Sequence, residues 1–378
     1  MAGIYIHIPF CSQRCRYCNF HFSTRLVDKS PVITALNHEM QLRQQTGFLQ
    51  ENIETIYFGG GTPSLLSEKE LNDLLETIHR LWPVSQQAEI TLEANPEDVD
   101  LTQCGTWKKA GINRISLGVQ SLFDDELNWM NRAHSAEASK KSVLLLKETG
   151  YDQFSVDLIF GGPFMTIDRW EQTLSWIEEQ QLTHISCYGL TVEPKTPLAN
   201  SIKNKTTPAP DADKMATQFE MLMSFAEENE WEHYEISNLA KKGKRSKHNS
   251  SYWRGIPYLG IGPSAHSFDG QSRRWNIADN KKYIEQINTG FIPEEMEVLT
   301  PIQQLNETIM IRLRCMEGCS LSEIEKRFGK EKANTLLRQS EQFISAGQMM
   351  NDNGSLRLTR EGKLFADRIA SELFFTEG

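Results

Sequence analysis

Short runs of β-branched and aromatic residues alternate with longer stretches of helical periodicity from the start of the chain to about residue 195. The runs Ile4–Phe10, Thr55–Gly59, Glu89–Glu93, Arg114–Gln120, Phe154–Gly161 and His184–Leu190 read as strands. The clearest helix follows Ser67, which makes a capping-box pattern with Glu70. Leu71, Leu74, Leu75, Ile78 and Leu81 then share one helical face, and Pro83 stops it. Six βα units in series predict parallel strands covered by helices. The expected α/β fold is first a partial or complete βα barrel, second an open doubly wound sheet. Gly59-Gly60-Gly61-Thr62, Glu93, Gln120 and Asp157 fall at or near the C-terminal ends of four strands, where a βα barrel gathers ligand and chemistry.

Beyond residue 195 the pattern changes. A loop, SIKNKTTPAPDADK, leads to a helix near Met215–Glu228, and the basic run Lys241, Lys242, Lys244, Arg245 and Lys247 precedes HNSSYWRG. From about residue 296 the order reads helix, helix, helix, hairpin, helix, with the hairpin turn at Asn351-Asp352-Asn353-Gly354. Three regions are expected: a βα barrel core over 1–195, a barrel extension over 196–295, and an α-rich, winged-helix-like C-terminal domain over 296–378.

Composition narrows the function. With 39% hydrophobic and 24% charged residues over 378 positions, the chain is an ordinary globular protein. Its 40 Lys+Arg against 50 Asp+Glu leave a net charge of −10, and residues 296–378 carry 11 basic and 12 acidic side chains. A nucleic-acid partner is not expected from such a balance, despite the winged-helix order. No apolar run approaches the ~20 residues of a membrane span, and MAGIYIHIPFC lacks the pattern of a signal peptide, so a cytoplasmic location is expected.

The cysteines carry the chemistry. Of seven, Cys11, Cys15 and Cys18 crowd into the loop after the first strand, Cys315 and Cys319 sit at helical spacing without His or Cys partners, and Cys104 and Cys187 stand alone as small buried residues. Three converging thiolates fit a 4Fe–4S cubane with one iron left open, or a zinc ion with His21 as fourth ligand. Spacing alone does not separate these.

The run IYIHIPFCSQRCRYC, followed one strand later by YFGGGTP, resembles the radical S-adenosylmethionine (SAM) superfamily. The resemblance implies a partial (β/α)6-type barrel and a 4Fe–4S cluster on Cys11, Cys15 and Cys18, with SAM chelating the fourth iron. It also implies that Tyr5 and Tyr17 flank the cluster and adenine region. Gly60, Gly61 and Thr62 would then meet the methionyl part, and Glu93, Gln120, Arg132 and Asp157 would complete the pocket. The glycines would let backbone approach the ligand closely.

Within the superfamily the chain resembles the branch of oxygen-independent coproporphyrinogen III dehydrogenases and HemW-type haem chaperones. YLGIGPSAHS also belongs to that likeness, with Gly260 and Gly262 expected to allow a tight approach to the pocket and His266 to face it or pack. The dehydrogenases carry a fourth cysteine two residues after the third; here that position is Phe20. His248-Asn249-x-x-Tyr252-Trp253 matches the chaperones' HNxxYW signature, offering an imidazole for iron and aromatic rings for a macrocycle, with the basic run to pair with propionates. The resemblance therefore implies haem binding at His248, Tyr252 and Trp253 and delivery to acceptor proteins, membrane-bound ones included, by a chain able to form homodimers. Its alternative is radical decarboxylation of porphyrinogen propionates. A third reading is a zinc-stabilised binding protein.

Overall fold

The computed structural model describes residues 1–376. Six strands, β1 (Ala2–Ile8), β2 (Ile53–Gly60), β3 (Val84–Ala94), β4 (Arg114–Gln120), β5 (Phe154–Phe160) and β6 (His184–Gly189), pair in parallel and in sequence order. The connections carry α1 (Lys29–Thr46), α2 (Glu68–Leu81), α3 (Leu101–Ala110), α4 (Asp124–Met130), α5 (Ala136–Glu148) and α6 (Ile167–Glu179). This is the partial (β/α)6 barrel. The capping box forms: Glu70 N–H donates to Ser67 Oγ (3.3 Å), and Ser67 N–H to Glu70 Oε2 (2.8 Å). Leu71, Leu74, Leu75 and Ile78 of that helix enter the core.

Strand alternation sorts the side chains into two layers. Ile4, Ile6, Ile56, Phe58, Leu92, Ile115, Leu117, Val156, Leu158 and Ile185 face the helices and are fully buried. The intervening positions are polar or aromatic and bond to one another across the concave face. Tyr57 donates to Glu93 (2.8 Å), Ser116 to Asp157 (2.8 Å), and Arg114 lies 3.7 Å from Glu89. A parallel sheet buried on both faces ordinarily reads as continuous apolar runs. Polar alternation instead marks a lumen built for a ligand.

The chain continues with α7 (Pro197–Lys203), α8 (Ala212–Glu228), β7 (Glu232–Glu235), β8 (Asn238–Ala240), α9 (Lys247–Trp253), β9 (Tyr258–Ile261), β10 (His266–Phe268), β11 (Ser272–Asn276), α10 (Asn280–Asn288) and β12 (Glu294–Val298). These strands extend the barrel at both sides: β8 lies antiparallel on β6 and β9 parallel on β1, giving a 12-stranded open sheet with β7 and β12 at its edges. Glu294 of β12 pairs with Arg274 (3.0 Å) and Arg43 (2.5 Å), while Glu295 through Val298 are exposed. Helix α9 enters the concave face from the N-terminal end of the barrel, where Glu89 accepts from the backbone of Lys247 (3.0 Å) and His248 (2.9 Å).

A second core, with Leu305, Ile309, Leu336, Phe343, Leu356 and Ile369 at its centre, belongs to the C-terminal domain. It consists of α11 (Pro301–Leu313), β13 (Cys319–Ser320), α12 (Leu321–Phe328), α13 (Lys330–Ser345), β14 (Met349–Asp352), β15 (Ser355–Leu358), α14 (Arg360–Lys363) and α15 (Ala366–Glu372). That is a winged-helix-like arrangement with a three-stranded wing sheet. The hairpin turns on two residues, Asn353 (φ 51°) and Gly354 (φ 85°), both left-handed; Asn351 and Asp352, expected in the turn, complete β14. Cys315 and Cys319 do not share a helix as their spacing suggests. A turn at Gly318 (φ 73°) separates the end of α11 from β13.

Candidate functional site

The loop after β1 that carries the three cysteines is tied to its neighbours through backbone. Cys11 N–H donates to Ser23 O (3.1 Å), Arg16 N–H to Met130 O (3.0 Å), and Asn131 Nδ2 to Arg14 O (2.6 Å). The glycines after β2 complete this arrangement in a way the sequence did not foretell. A Cβ on Gly61 would lie 2.5 Å from Phe10 O and 2.7 Å from both Ile8 O and Phe10 N; one on Gly60 (φ 105°) would lie 2.5 Å from the His7 ring. Gly61 serves the close approach of two backbone segments and Gly60 makes room for the His7 ring, and together they set the cysteine loop over the strand ends.

A cavity of about 440 Å³ opens there. Cys11, Cys15, Cys18, Tyr17, Gly60, Gly61, Thr62, Glu93, Gln120, Arg132 and Asp157 all line it, and Phe20, 67% exposed, stands on its rim. Tyr5 does not line it. It lies one layer deeper, stacked on Tyr57 (centroids 6.0 Å) with its hydroxyl 3.2 Å from His7 Nδ1. Gln120 ends β4 at φ 66°, a strained conformation for a non-glycine residue, and such strain concentrates at binding sites.

Electrostatically the cavity holds one cation among acids. Arg132 donates to Asn95 Oδ1 (2.6 Å), Gly118 O (3.0 Å) and Cys15 Sγ (3.4 Å), leaving its Nε–H buried without an acceptor. Burial pushes the Glu93 carboxyl up to about 7; Tyr57 and the Gly60 N–H oppose that, and Asp157 adds to it. Burial likewise raises Asp157 against hydrogen bonds from Ser116, Ser186 and Ser155.

These residues fit the groups the motif implies. Burial pushes the Cys11 thiol up to about 11 and raises Cys18, so these sulfurs ionise readily only beside a metal's charge. Cys11, Cys15 and Cys18 are all free and share one loop, which suits a cubane in which each thiolate binds its own iron. His21, the proposed zinc ligand, is held by Asn280 Oδ1 at 2.7 Å from its Nε2. For a ligand bearing a carboxylate, an ammonium and a sulfonium, the free Arg132 N–H and the acids Glu93 and Asp157 supply the complementary charges.

The HNxxYW segment lies elsewhere, in α9. His248 is 2% exposed, with Nδ1 2.8 Å from Thr55 Oγ1, Nε2 2.9 Å from Tyr252 Oη, and its ring stacked on Tyr57 at 4.9 Å. Both nitrogens are engaged in these bonds, and the ring lines neither this cavity nor the second one described next. Its role is to fasten α9 into the lumen. Tyr252 and Trp253 do line a cavity, a second one of about 1010 Å³ between barrel and C-terminal domain. The basic run reaches neither cavity. Lys241 pairs with Glu178 (3.2 Å), Arg245 with Glu232 (2.8 Å) and Glu317 (2.6 Å), and Lys247 donates to Gln87 O (3.0 Å). Gly260 and Gly262 admit the backbones of His266 and His7 rather than a ligand, and His266 is exposed beside Trp275.

Sequence reading missed Tyr57, Asn95, Ser116 and Tyr188, which build or brace the cavity. Their signal was present as polar residues at every second position of strands whose remaining positions are aliphatic.

Comparison with known proteins gives the same picture along the whole chain. The family model described as the radical SAM superfamily matches residues 5–177, and the HemN C-terminal domain matches 299–365. The protein named heme chaperone HemW of Bacillus subtilis is 34% identical over 98% of this chain and 98% of its own length. That of Haemophilus influenzae is 33% identical over 99% and 98%. The mitochondrial radical S-adenosyl methionine domain-containing protein 1 of Mus musculus is 30% identical over 97% and 86%. Among solved structures, coproporphyrinogen III oxidase (HemN) from Escherichia coli superposes with a TM-score of 0.85 over 99% of this chain and 90% of its own, at 21% identity, a likeness of fold. With a radical SAM barrel, a HemN-type C-terminal domain and full-length similarity above 30% to proteins of that name, the chain belongs to the HemW family of the radical SAM superfamily.

Proposed function

We propose that this chain binds haem and delivers it to acceptor proteins, on a scaffold that holds a 4Fe–4S cluster and SAM. The full-length similarity to proteins named haem chaperones carries this reading. Cys11, Cys15 and Cys18 would hold the cluster, and its chemistry when bound is electron transfer to the sulfonium of SAM. Arg132 fixes Cys15 by an N–H···S bond and offers its remaining N–H to a carboxylate. Gly60, Gly61 and Thr62 form the wall beside the cysteine loop, Tyr17 and Gln120 close the sides, and Glu93 and Asp157 attract the cationic groups. Tyr5 acts from below by holding His7 and Tyr57. Acceptors of haem, membrane-bound ones among them, and a second copy of this chain are the partners this reading names. The seven cysteines are all free, which suits the reducing cytoplasm, and no helix of the described residues is long and apolar enough to cross a membrane.

The second reading is oxidative decarboxylation of coproporphyrinogen III. Phe20, at the position of the dehydrogenases' fourth cysteine, speaks against it. The test is an anaerobic reaction of reconstituted protein with SAM, a strong reductant and coproporphyrinogen III, beside a haem titration of the same preparation. Haem binding with unchanged porphyrinogen is expected. Protoporphyrinogen formed together with 5′-deoxyadenosine would overturn the carrier reading. Cys15→Ser should lose iron and sulfide, and full content in that variant would remove Cys15 from the cluster.

A further inference from the structure

Glu93 lines the cluster cavity, and both of its oxygens are held from β2. Oε1 accepts from the Tyr57 hydroxyl (2.8 Å) and Oε2 from the Gly60 N–H (3.1 Å). Among the described residues, Tyr57 supplies the one side-chain hydrogen bond that aims this carboxylate. Tyr57 does not itself line the cavity; it reaches Glu93 from the layer that holds Tyr5. Gly59 leaves the space for this meeting. A Cβ there would lie 2.8 Å from Tyr57 Cε1, 2.9 Å from Tyr5 Cε2 and 3.0 Å from Glu93 Oε1. Burial first, and the charges of Glu93 and Asp157 next, push the Tyr57 hydroxyl well above its usual range, so it stays protonated and donates.

Two rings bear on that of Tyr57. Tyr5, its partner in the β1–β2 register, stacks at 6.0 Å and 23°, and His248 of α9 stacks at 4.9 Å and 25°. His248 is itself pinned between Thr55 and Tyr252, and a Cβ on Gly3 would lie 2.8 Å from Thr55 Oγ1 and 3.4 Å from the His248 ring. The path from α9 to the cavity is therefore three side chains long: His248, Tyr57, Glu93. The other groups around Glu93 are Asp157 on β5, Tyr5, Tyr188 and Tyr252 on β1, β6 and α9, and Cys18, which senses Glu93 through charge without a hydrogen bond. Burial raises the three phenols, so they remain neutral. Asp157 has its own donors in Ser116 (2.8 Å) and Ser155 (3.3 Å).

Resting on the SAM reading given above, we propose that Tyr57 is the positioning residue of the cluster cavity: its hydroxyl aims Glu93 at a cationic group of SAM, and its stack on His248 makes that aim depend on the seating of α9. A hydrogen bond donated to a carboxylate favours the ionised form, which is the form a cation prefers. Because Tyr57 stays outside the cavity, its effect on SAM passes entirely through Glu93. The stack carries the state of α9 to the same atom. Loosening His248 frees the Tyr57 ring, and the carboxylate loses its donor. Helix α9 enters at the N-terminal end of the barrel and the cysteine loop closes the other, so one chain of contacts joins the two ends of the lumen.

The test measures SAM affinity by calorimetry on the reconstituted, full-length protein between pH 6 and 9. Tyr57→Phe removes one hydroxyl and keeps both stacks. It should carry the rise of affinity with pH about one unit upward and weaken SAM about fivefold at pH 7. The titration of SAM itself is common to both proteins. In the apo chain, the carboxyl band of Glu93, assigned with Glu93→Gln in infrared difference spectra, should shift by the same unit. A Tyr57 that only filled the lumen would leave both midpoints in place. His248→Ala should move the midpoint in the same direction, and Tyr57→Phe/His248→Ala should move it no further than Tyr57→Phe alone. An unchanged midpoint in folded Tyr57→Phe would overturn the positioning role and leave the SAM reading standing. So would a wild-type affinity that does not vary with pH, without need of any variant. Additive shifts in the double variant would overturn the link to α9. A wild-type holoprotein that binds no SAM would overturn the SAM reading and this inference together.

Discussion

Replacing Gly61 by alanine adds one methyl group where three backbone atoms, Phe10 O, Ile8 O and Phe10 N, lie 2.5–2.7 Å from its position. Carbon normally approaches such atoms to about 3.5 Å, so one segment must yield by nearly 1 Å. No side chain is present to rotate away. The yielding segment is Ile8–Phe10, the stem of the cysteine loop, which Gly61 N–H also bonds through Ile8 O at 2.9 Å. Overpacking of this kind costs roughly 1–3 kcal/mol, and the displaced stem carries Cys11 with it. Gly61→Ala is therefore expected to lower the urea midpoint of the apo chain and, after anaerobic reconstitution, to hold less iron and sulfide per chain than the wild type. Gly105→Ala is the control. That glycine is exposed in α3 with nothing within 4 Å of an added Cβ, and the change should raise stability by about 0.5–1 kcal/mol. A Gly61→Ala protein with wild-type midpoint and full iron content would refute the argument that the glycine exists for the loop.

Glu93 and His248 give two further expectations. The Glu93 carboxyl titrates near 7 in the folded chain against 4.5 unfolded, so its contribution to apo stability is complete below about 4.5 and is lost as pH rises through 7. Cationic SAM prefers the ionised form, and its affinity should rise up to about tenfold between pH 6 and 8; a Glu93→Gln protein with the same pH dependence in calorimetry would exclude Glu93 as the partner. His248→Ala removes a buried, stacked ring and two hydrogen bonds and should cost roughly 2–4 kcal/mol in urea unfolding. Unchanged stability would refute its role in fastening α9.

The barrel was legible because aliphatic alternation is a local signal. Ile115, Leu117 and Val119 bound β4 where they were expected to, over Arg114–Gln120. The first strand lies two residues earlier than its apolar run because Pro9 has no N–H for the ladder, and Phe10 makes only an isolated bridge to Ser23. The cysteine loop and strand-end residues were legible for the same reason: motif and position sit within a few residues of each other. His248 was not, since its burial depends on α9 turning into the lumen to meet Thr55 and Tyr57, nearly two hundred positions away in sequence. The basic run failed similarly. Its partners Glu178, Glu232 and Glu317 come from three separate segments, and no local pattern announces them.

Because the barrel stays open, its sheet has two free borders, and they are treated differently. At β7, Glu235 bridges to Cys315, so the C-terminal domain covers that border. At β12, among the described residues, no further strand pairs, and Glu295 and Glu297 project there beside the exposed Met296 and Val298. A second molecule adding its own β12 alongside would bring two rows of carboxylates face to face, which is unfavourable at low ionic strength. The acidic border thus acts as a guard against runaway strand addition, and removing it by Glu295→Thr/Glu297→Thr should make the chain prone to concentration-dependent, salt-enhanced self-association.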